Sequence, residues 1–299
     1  MALQKEIWIN SIIENLFADN TFAARSVNHS SFVKEKTVHV PNAGSAPSVT
    51  KGRSSFPASV STRTDNDLTY TIAEYTTDPF RIPNAEEVEL SYNKRESIIR
   101  GCRNALAEAV HNDLVKAWVP ASGYTKVATT GSAATAYAPS ATGNRKNVAI
   151  ADIFSVKTEF DKENLPQTGR CILIDPVMYG QLLKALTDSQ ANAFLACADA
   201  TRGTIGNLFG FDFYMRSTVL TTVSAGTSLS SSAAATDSAA ALAWHEDYVS
   251  RALGNTELFD DPKNPLYYGD IVSCLVRAGG SYVNYGKKGI VLLYQATSV

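Results

Sequence analysis

Four histidines, His29, His39, His111 and His245, are the side chains of this sequence best suited to move a proton near neutral pH. None stands in an HExxH pair, so no helix offers two imidazoles to a zinc ion, and no GxSxG elbow supplies a serine for a histidine to activate. Each reads as a packing or surface residue. The four cysteines, Cys102, Cys171, Cys197 and Cys274, lie far apart, with no CxxC pair and no histidine at zinc-ligand spacing. They read as small buried hydrophobes of a reducing compartment. The acidic pairs Glu246-Asp247 and Asp260-Asp261 have the charge to attract a hard cation, but neither lies in a ligand loop of known spacing. Gly203, Gly206 and Gly210 are spaced GxxGxxxG with no GK[ST] after them, which fits neither nucleotide fingerprint and marks turns instead. The chain therefore reads as having no catalytic residue, no metal and no cofactor. The competing enzymatic reading is a soluble α/β hydrolase or transferase using His245 or His111 with nearby acids.

Composition narrows the partners. With 299 residues, 44% hydrophobic and 19% charged, the chain is long enough to bury a real core in one large or two ordinary domains. Lys and Arg total 27 against 29 Asp and Glu, a formal net charge of −2, so no broad basic field exists to grip nucleic acid by its phosphates. Contact with DNA should be weak and without sequence preference. No run of about 18 apolar residues is present, so no membrane span is expected. The opening MALQKEIWINSIIENLF sets acids inside its apolar pattern and makes a poor signal peptide.

The elements that would position any function are organised around Asn84–Trp118. Asn84 suits an N-cap with Glu87 as its capping-box partner, and Pro120 ends the helix. Ile98/Ile99, Cys102, Leu106, Ala109/Val110, Leu114 and Ala117/Trp118 draw one apolar stripe along it. At about 1.5 Å per residue such a helix would run on the order of 50 Å, the length of a strut. Ahead of it, Leu3–Phe17 is read as an amphipathic helix with Trp8, Ile12 and Phe17 on its apolar side. Residues 18–44 are too polar to make a core of their own, apart from a short strand-like KTVHV. Ala58–Thr64 and Leu68–Tyr75, joined by Asp65-Asn66-Asp67, read as a long hairpin with little apolar surface. An isolated hairpin is marginal in water, so this one should rest on another surface.

After the strut, Ala121–Lys146 is built of Ala, Ser, Thr and Gly and reads as a surface loop or small insertion. Val148–Lys162 reads as a helix with Ile150, Ile153/Phe154 and Phe160 on one side. CILI at 171–174 reads as a buried strand, Asp175-Pro176 as a turn, and Met178–Leu186 as a second helix. A second Ser/Ala-rich stretch, Ser224–Ala241, precedes WHEDYVSRAL. IVSCLVRA, SYVNY and GIVLLYQ read as three closing strands separated by glycine turns.

This order of parts resembles the major capsid proteins of tailed phages with the Hong Kong 97-like fold. The most specific text is LPQTGRCILIDPVMYGQLLKAL at 165–186, followed by RGTIGNLFGFDFYMRSTVL at 202–220. The resemblance implies an α+β chain with an N-terminal arm (1–50), an extended E-loop hairpin (51–82), and a spine helix of the peripheral domain (83–120). After the Ala/Ser/Thr-rich segment (121–146) it implies an axial domain (147–249) and return strands to the peripheral domain (250–299). It further implies a coat protein that self-assembles into hexamers and pentamers of an icosahedral phage head, put together in the host cytoplasm. Contacts between copies are expected at Trp8, Ile12, Phe17, Phe56, Arg63, Asp65, Leu68 and Tyr70. A portal, a separate scaffolding protein and packaged double-stranded DNA are the implied partners. Many relatives carry a charged helical scaffold segment fused ahead of the arm; none precedes Leu3 here, so the coat is expected to stay uncut.

Overall fold

The computed structural model describes residues 21–33, 36–44, 46–58, 60, 62–83, 94–199, 201–217 and 219–298. Trp8, Ile12, Phe17 and the start of the strut at Asn84 and Glu87 lie outside them. In chain order the described elements begin with α1 (Thr21–Ala24), β1 (Val27–Asn28), β2 (Thr37–Asn42), β3 (Asn66–Thr71), β4 (Ala73–Thr76) and β5 (Phe80–Pro83). Next come α2 (Lys94–Trp118), β6 (Thr125–Ala128), β7 (Ala133–Thr135), β8 (Asn144–Lys146), α3 (Ile150–Lys162), β9 (Arg170–Ile174), α4 (Pro176–Ala185) and α5 (Asp188–Ala196). The chain closes with β10 (Gly206–Leu208), β11 (Phe211–Met215), β12 (Leu220–Thr222), β13 (Ser238–His245), β14 (Val249–Asn264), β15 (Gly269–Tyr282), β16 (Ile290–Tyr294) and β17 (Thr297–Ser298).

A seven-stranded mixed sheet forms one body, in the order β10-β11-β9-β13-β16-β6 with β12 beside β13. Its centre is β13, SAAALAWH, all eight residues of which are buried. Small side chains suit a strand covered on both faces. Ala241 and Ala243 face a cluster with Ile153, Val156 and Phe160 of α3 and Met178 and Leu182 of α4. Ala240, Leu242 and Trp244 face Leu114, Val115 and Trp118 of α2. Asp175 caps α4 by accepting from the backbone N–H of Val177 (2.9 Å) and Met178 (2.8 Å), with Pro176 in the first turn where its missing N–H costs nothing.

A second sheet pairs β1, β14, β15, β4 and β5, with the long antiparallel hairpin β14–β15 as its spine. The first part of α2 lies on it, burying Ile99, Cys102, Leu106 and Val110 against Leu258, Val272, Cys274 and Val276. The described 25 residues of α2 span about 37 Å at about 1.5 Å per residue, long enough to serve both sheets. Trp118 at its end donates from the indole N–H to the Ser250 carbonyl at 2.9 Å.

Several expectations are corrected. The hairpin is not Ala58–Thr64 with Leu68–Tyr75. β2 pairs with β3, placing Val38 opposite Tyr70 and Val40 opposite Leu68, and residues 43–65 form the connection. KTVHV wins because its alternating valines match the alternation of β3, whereas ASVSTRT offers no comparable apolar face. Nor is 121–146 an unpacked insertion. β6 adds to the large sheet beside β16, and β7 and β8 join β17 in a three-stranded sheet. The buried guanidinium of Arg145 donates to the carbonyls of Thr142 (3.1 Å), Asn144 (3.1 Å) and Asp237 (2.9 Å) and to the Ser238 hydroxyl (3.0 Å), tying that sheet to β13. Phe154 points outward at 55% exposure, while Ile153 and Phe160 are buried.

The segment 250–299 divides between the two sheets, since β16 pairs with β13. Gly279-Gly280 does not separate two strands: β15 runs straight through to Tyr282. A Cβ at Gly279 would stand 3.0 Å from Ile72 Cα, and one at Gly280 would stand 2.3 Å from Leu114 Cδ1 and 2.4 Å from the Ser250 carbonyl oxygen. Glycine there permits the close approach of a neighbouring strand and of α2.

Candidate interaction surfaces

The proton-moving side chains are occupied as structural groups. His111, fully buried on α2, donates from Nδ1 to the Ala107 carbonyl at 2.5 Å and meets Phe22 edge-on at 5.7 Å between ring centres. Burial pushes its pKa down to about 4, and Arg216 and Arg251 add to the shift, so the ring is neutral at pH 7. His245 ends β13, accepts at Nδ1 from the Asp247 backbone N–H at 3.2 Å and packs edge-on to Tyr248. His29 stacks on Tyr70, with 3.3 Å between its Nδ1 and the phenol oxygen. His39 faces Asp67 at 2.7 Å on the outer side of the β2–β3 ribbon. Among the described residues no group of three His, Cys, Asp or Glu is placed to hold a metal ion, and no helix is long and apolar enough to cross a membrane.

Two described segments carry several large apolar side chains outward. Beyond the ribbon, residues 43–65 expose Val49 (94%), Phe56 (76%) and Val60 (95%). The turn between β14 and β15 exposes Leu266, Tyr267 and Tyr268, and Lys263 and Tyr268 there hold positive φ. Single exposed hydrophobes are ordinary, but several on two projecting segments mark surfaces that something covers.

The ribbon that leads into the first of these segments is fastened to the rest of the chain at its root. Val38, Val40 and Tyr70 of the ribbon bury with Ile72 and Ala252 against the chain's own second sheet. The Asn42 side-chain amide donates to the Val283 carbonyl at 2.9 Å, and its oxygen accepts from the Tyr285 N–H at 3.1 Å. Ahead of the ribbon in the chain, Phe22 inserts among His111, Trp118 and Trp244. Arg25 then binds the Asp212 carboxylate, Glu246 Oε2 (3.1 Å) and the Tyr214 hydroxyl (3.2 Å), while its carbonyl accepts from the Trp244 indole at 2.8 Å.

No protein-family model matches the sequence, and no curated protein is significantly similar to it. Solved structures are similar. A structure from Mycobacterium phage Che8 superposes with a TM-score of 0.60 at 20% identity, covering 91% of this chain and 90% of that one. The capsid of cyanophage P-SCSP1u gives a TM-score of 0.65 at 17% identity, over 92% of this chain and 87% of that one. The capsid of Ralstonia phage GP4 gives 0.66 at 10% identity, over 92% and 88%. The fold is that of the Hong Kong 97-like capsid proteins.

Within this capsid fold the contact residues read from sequence fall into different places. Phe56 is on the exposed connection. Arg63 and Asp65 are exposed but engage each other, with Nε to Oδ1 at 2.6 Å, and Asp65 also accepts from the Gly44 N–H at 2.9 Å. Arg63 holds the Asp65 carboxyl below its usual range. The pair therefore fastens the two ends of the 43–65 connection. Leu68 is half-buried and Tyr70 buried against this chain itself, because the alternation of β3 turns both inward. Missed from sequence were Val49, Val60 and the Leu266-Tyr267-Tyr268 turn. Three large apolar residues between Pro265 and Gly269, in a stretch otherwise polar from Asp260, were the available signal.

Proposed function

We propose that this chain is a major coat protein of a phage head, self-assembling into hexamers and pentamers of an icosahedral shell around double-stranded DNA. The observation that carries the reading is the 43–65 connection, a long segment fixed at its base by Asn42 and by the Arg63–Asp65 pair yet exposing Val49, Phe56 and Val60. Among the described residues nothing of its own chain covers these side chains, and such a segment suits a subunit that overlaps its neighbours in a closed assembly. The likeness in fold to phage capsid structures over most of the chain supports the same reading.

In this reading Trp8, Ile12 and Phe17 of the N-terminal arm pack partly on another copy, residues 51–82 serve as the E-loop, and 147–249 form most of the axial domain. A portal and a separate scaffolding protein are the partners in the host cytoplasm, and DNA is enclosed without sequence-specific contact. The role of the chain is architectural, with no reaction to catalyse. Sedimentation velocity of the purified full-length protein tests this. Discrete capsomers or shells are expected; a monomer at every concentration, with or without co-expressed phage scaffold, contradicts it.

A further inference from the structure

A groove of about 850 Å³ runs along α2 beside the second sheet. Tyr75 of β4 and Phe80 of β5 line one wall, and Ile98, Gly101, Ala105 and Ala109 of α2 line the other. Phe80 is 51% exposed, an aromatic ring left at the edge of the space. Gly101, Ala105 and Ala109 recur at steps of four and are all exposed, so this side of the helix is a shallow track of small residues. Gly101 is not required by its own surroundings. Among the described residues a Cβ there would meet nothing within 4 Å, although glycine weakens a helix interior. Small residues on a helix let the axis of a second helix come close.

The chain itself supplies an occupant. Trp8, Ile12 and Leu16 of the N-terminal arm also recur at steps of four, a ridge of large apolar side chains to match the track of small ones. From Trp8 to Leu16 a helix spans about 12 Å, the same length as from Gly101 to Ala109. The described chain begins at Thr21, and Phe22 packs on His111, two positions beyond Ala109 on α2. The arm therefore joins the body level with one end of the groove. Leu16 is six residues before Phe22, a reach of up to about 20 Å, enough to pass round a helix about 10–12 Å across. So short a tether holds the arm at about millimolar local concentration, far above that of a second copy in dilute solution.

We propose that in the unassembled subunit Trp8, Ile12 and Leu16 of the chain's own arm seat in the groove between α2 and β4, leaving the Ile13 and Phe17 side of the arm for a neighbouring copy. Because the seat forms in the free subunit, it is tested apart from the coat-protein role.

The experiment uses the full-length protein at a dilution where sedimentation shows single subunits. Trp118 and Trp244 are fully buried, so the difference between wild type and Trp8→Phe isolates the fluorescence of Trp8. That emission should be blue-shifted and resist acrylamide. Filling the groove with Gly101→Gln and Ala105→Gln, both at exposed positions, should keep the circular dichroism of the wild type. The Trp8 emission should then move to the red and be quenched freely. A second measurement leaves the groove open: Asn15→Cys with Glu108→Cys, in a Cys197→Ser background that removes the exposed native thiol, should be joined within one chain by a short bismaleimide. Trp8 as open to acrylamide in the wild type as in the filled variant overturns the proposal. So does a Trp8 that stays shielded when the groove is filled, which would seat the arm elsewhere. Linkage only between two chains would give the groove to a second copy, and no linkage at all would leave the arm outside it; if the filled variant fails to fold, this measurement decides alone.

Discussion

Asn42, the last residue of β2, donates its side-chain amide to the backbone carbonyl of Val283 at 2.9 Å, and the same side chain accepts from Tyr285. One amide thus replaces a rung of β-ladder between the ribbon and the strand-end of β15, at the point where the exposed connection departs. Two backbone groups of 283–285 lose their partner if it is removed. Asn42→Ala should cost about 1–3 kcal/mol locally and raise the rate of proteolysis within 43–65. Pulse proteolysis with peptide mapping checks this; cleavage unchanged from wild type would show that the clasp does not hold the root.

The combined substitution Val49→Ser, Phe56→Ser, Val60→Ser should leave the subunit folded and prevent shells from closing. All three are exposed in the isolated chain, so they contribute little to its core, whereas burying each on a neighbour would yield about 1.5–3 kcal/mol for the larger ones. Circular dichroism and sedimentation on the same sample separate the two effects. Normal particles from the triple variant would remove this surface from the assembly.

Phe22→Ala should destabilise the subunit itself by about 3–5 kcal/mol, the usual range for deleting a buried aromatic ring. Phe22 is 4% exposed and closes the contact between α2 and β13 through Trp118 and Trp244. Denaturant unfolding measures the change. A loss below 1 kcal/mol would mean that α1 frays without consequence.

Acid should weaken the same junction. The His111 pKa lies near 4 in the folded chain, below its ordinary value of 6.5. The unfolded state therefore binds more protons between those values, and stability falls as pH drops from about 6.5 toward 4. Arg216 of the β11–β12 connection and Arg251 of β14 are cationic and add to the cost of charging the ring. His111→Gln should flatten the pH dependence of unfolding across that window relative to wild type. Parallel profiles for the two proteins would assign the acid sensitivity elsewhere, for instance to Asp65, Asp161 and Asp199, whose depressed pKa values act at lower pH.

Much of this architecture was legible in the sequence because single elements dominate their own patterns. The stripe Ile99, Cys102, Leu106, Val110, Leu114 and Trp118 gave α2, and CILI gave β9; Asp175-Pro176, read as a turn ahead of a helix from Met178, is instead the N-cap and first residue of α4, which ends at Ala185. β14 was illegible because register shifts between Leu253 and Thr256 and between Asp261 and Asn264 break its alternation. The first alanines of β13 looked like linker, since an Ala/Ser run has the same composition in a loop as in a strand too crowded for larger side chains. Ribbon pairing was misread because both candidate strands for β3 are polar, and only the match of Val38 and Val40 to Leu68 and Tyr70 decides between them. Exposure of Val49, Phe56 and Val60 is a property of where the ribbon ends, which no local pattern encodes.

Cryo-electron microscopy of particles formed by the full-length protein tests the central claim most directly. Closed icosahedral shells built of hexamers and pentamers are predicted, with the 43–65 connection of one copy lying on the adjacent copy and Phe56 buried between them. Dispersed monomers, or shells in which that connection folds back on its own subunit and leaves Phe56 in solvent, would contradict the account.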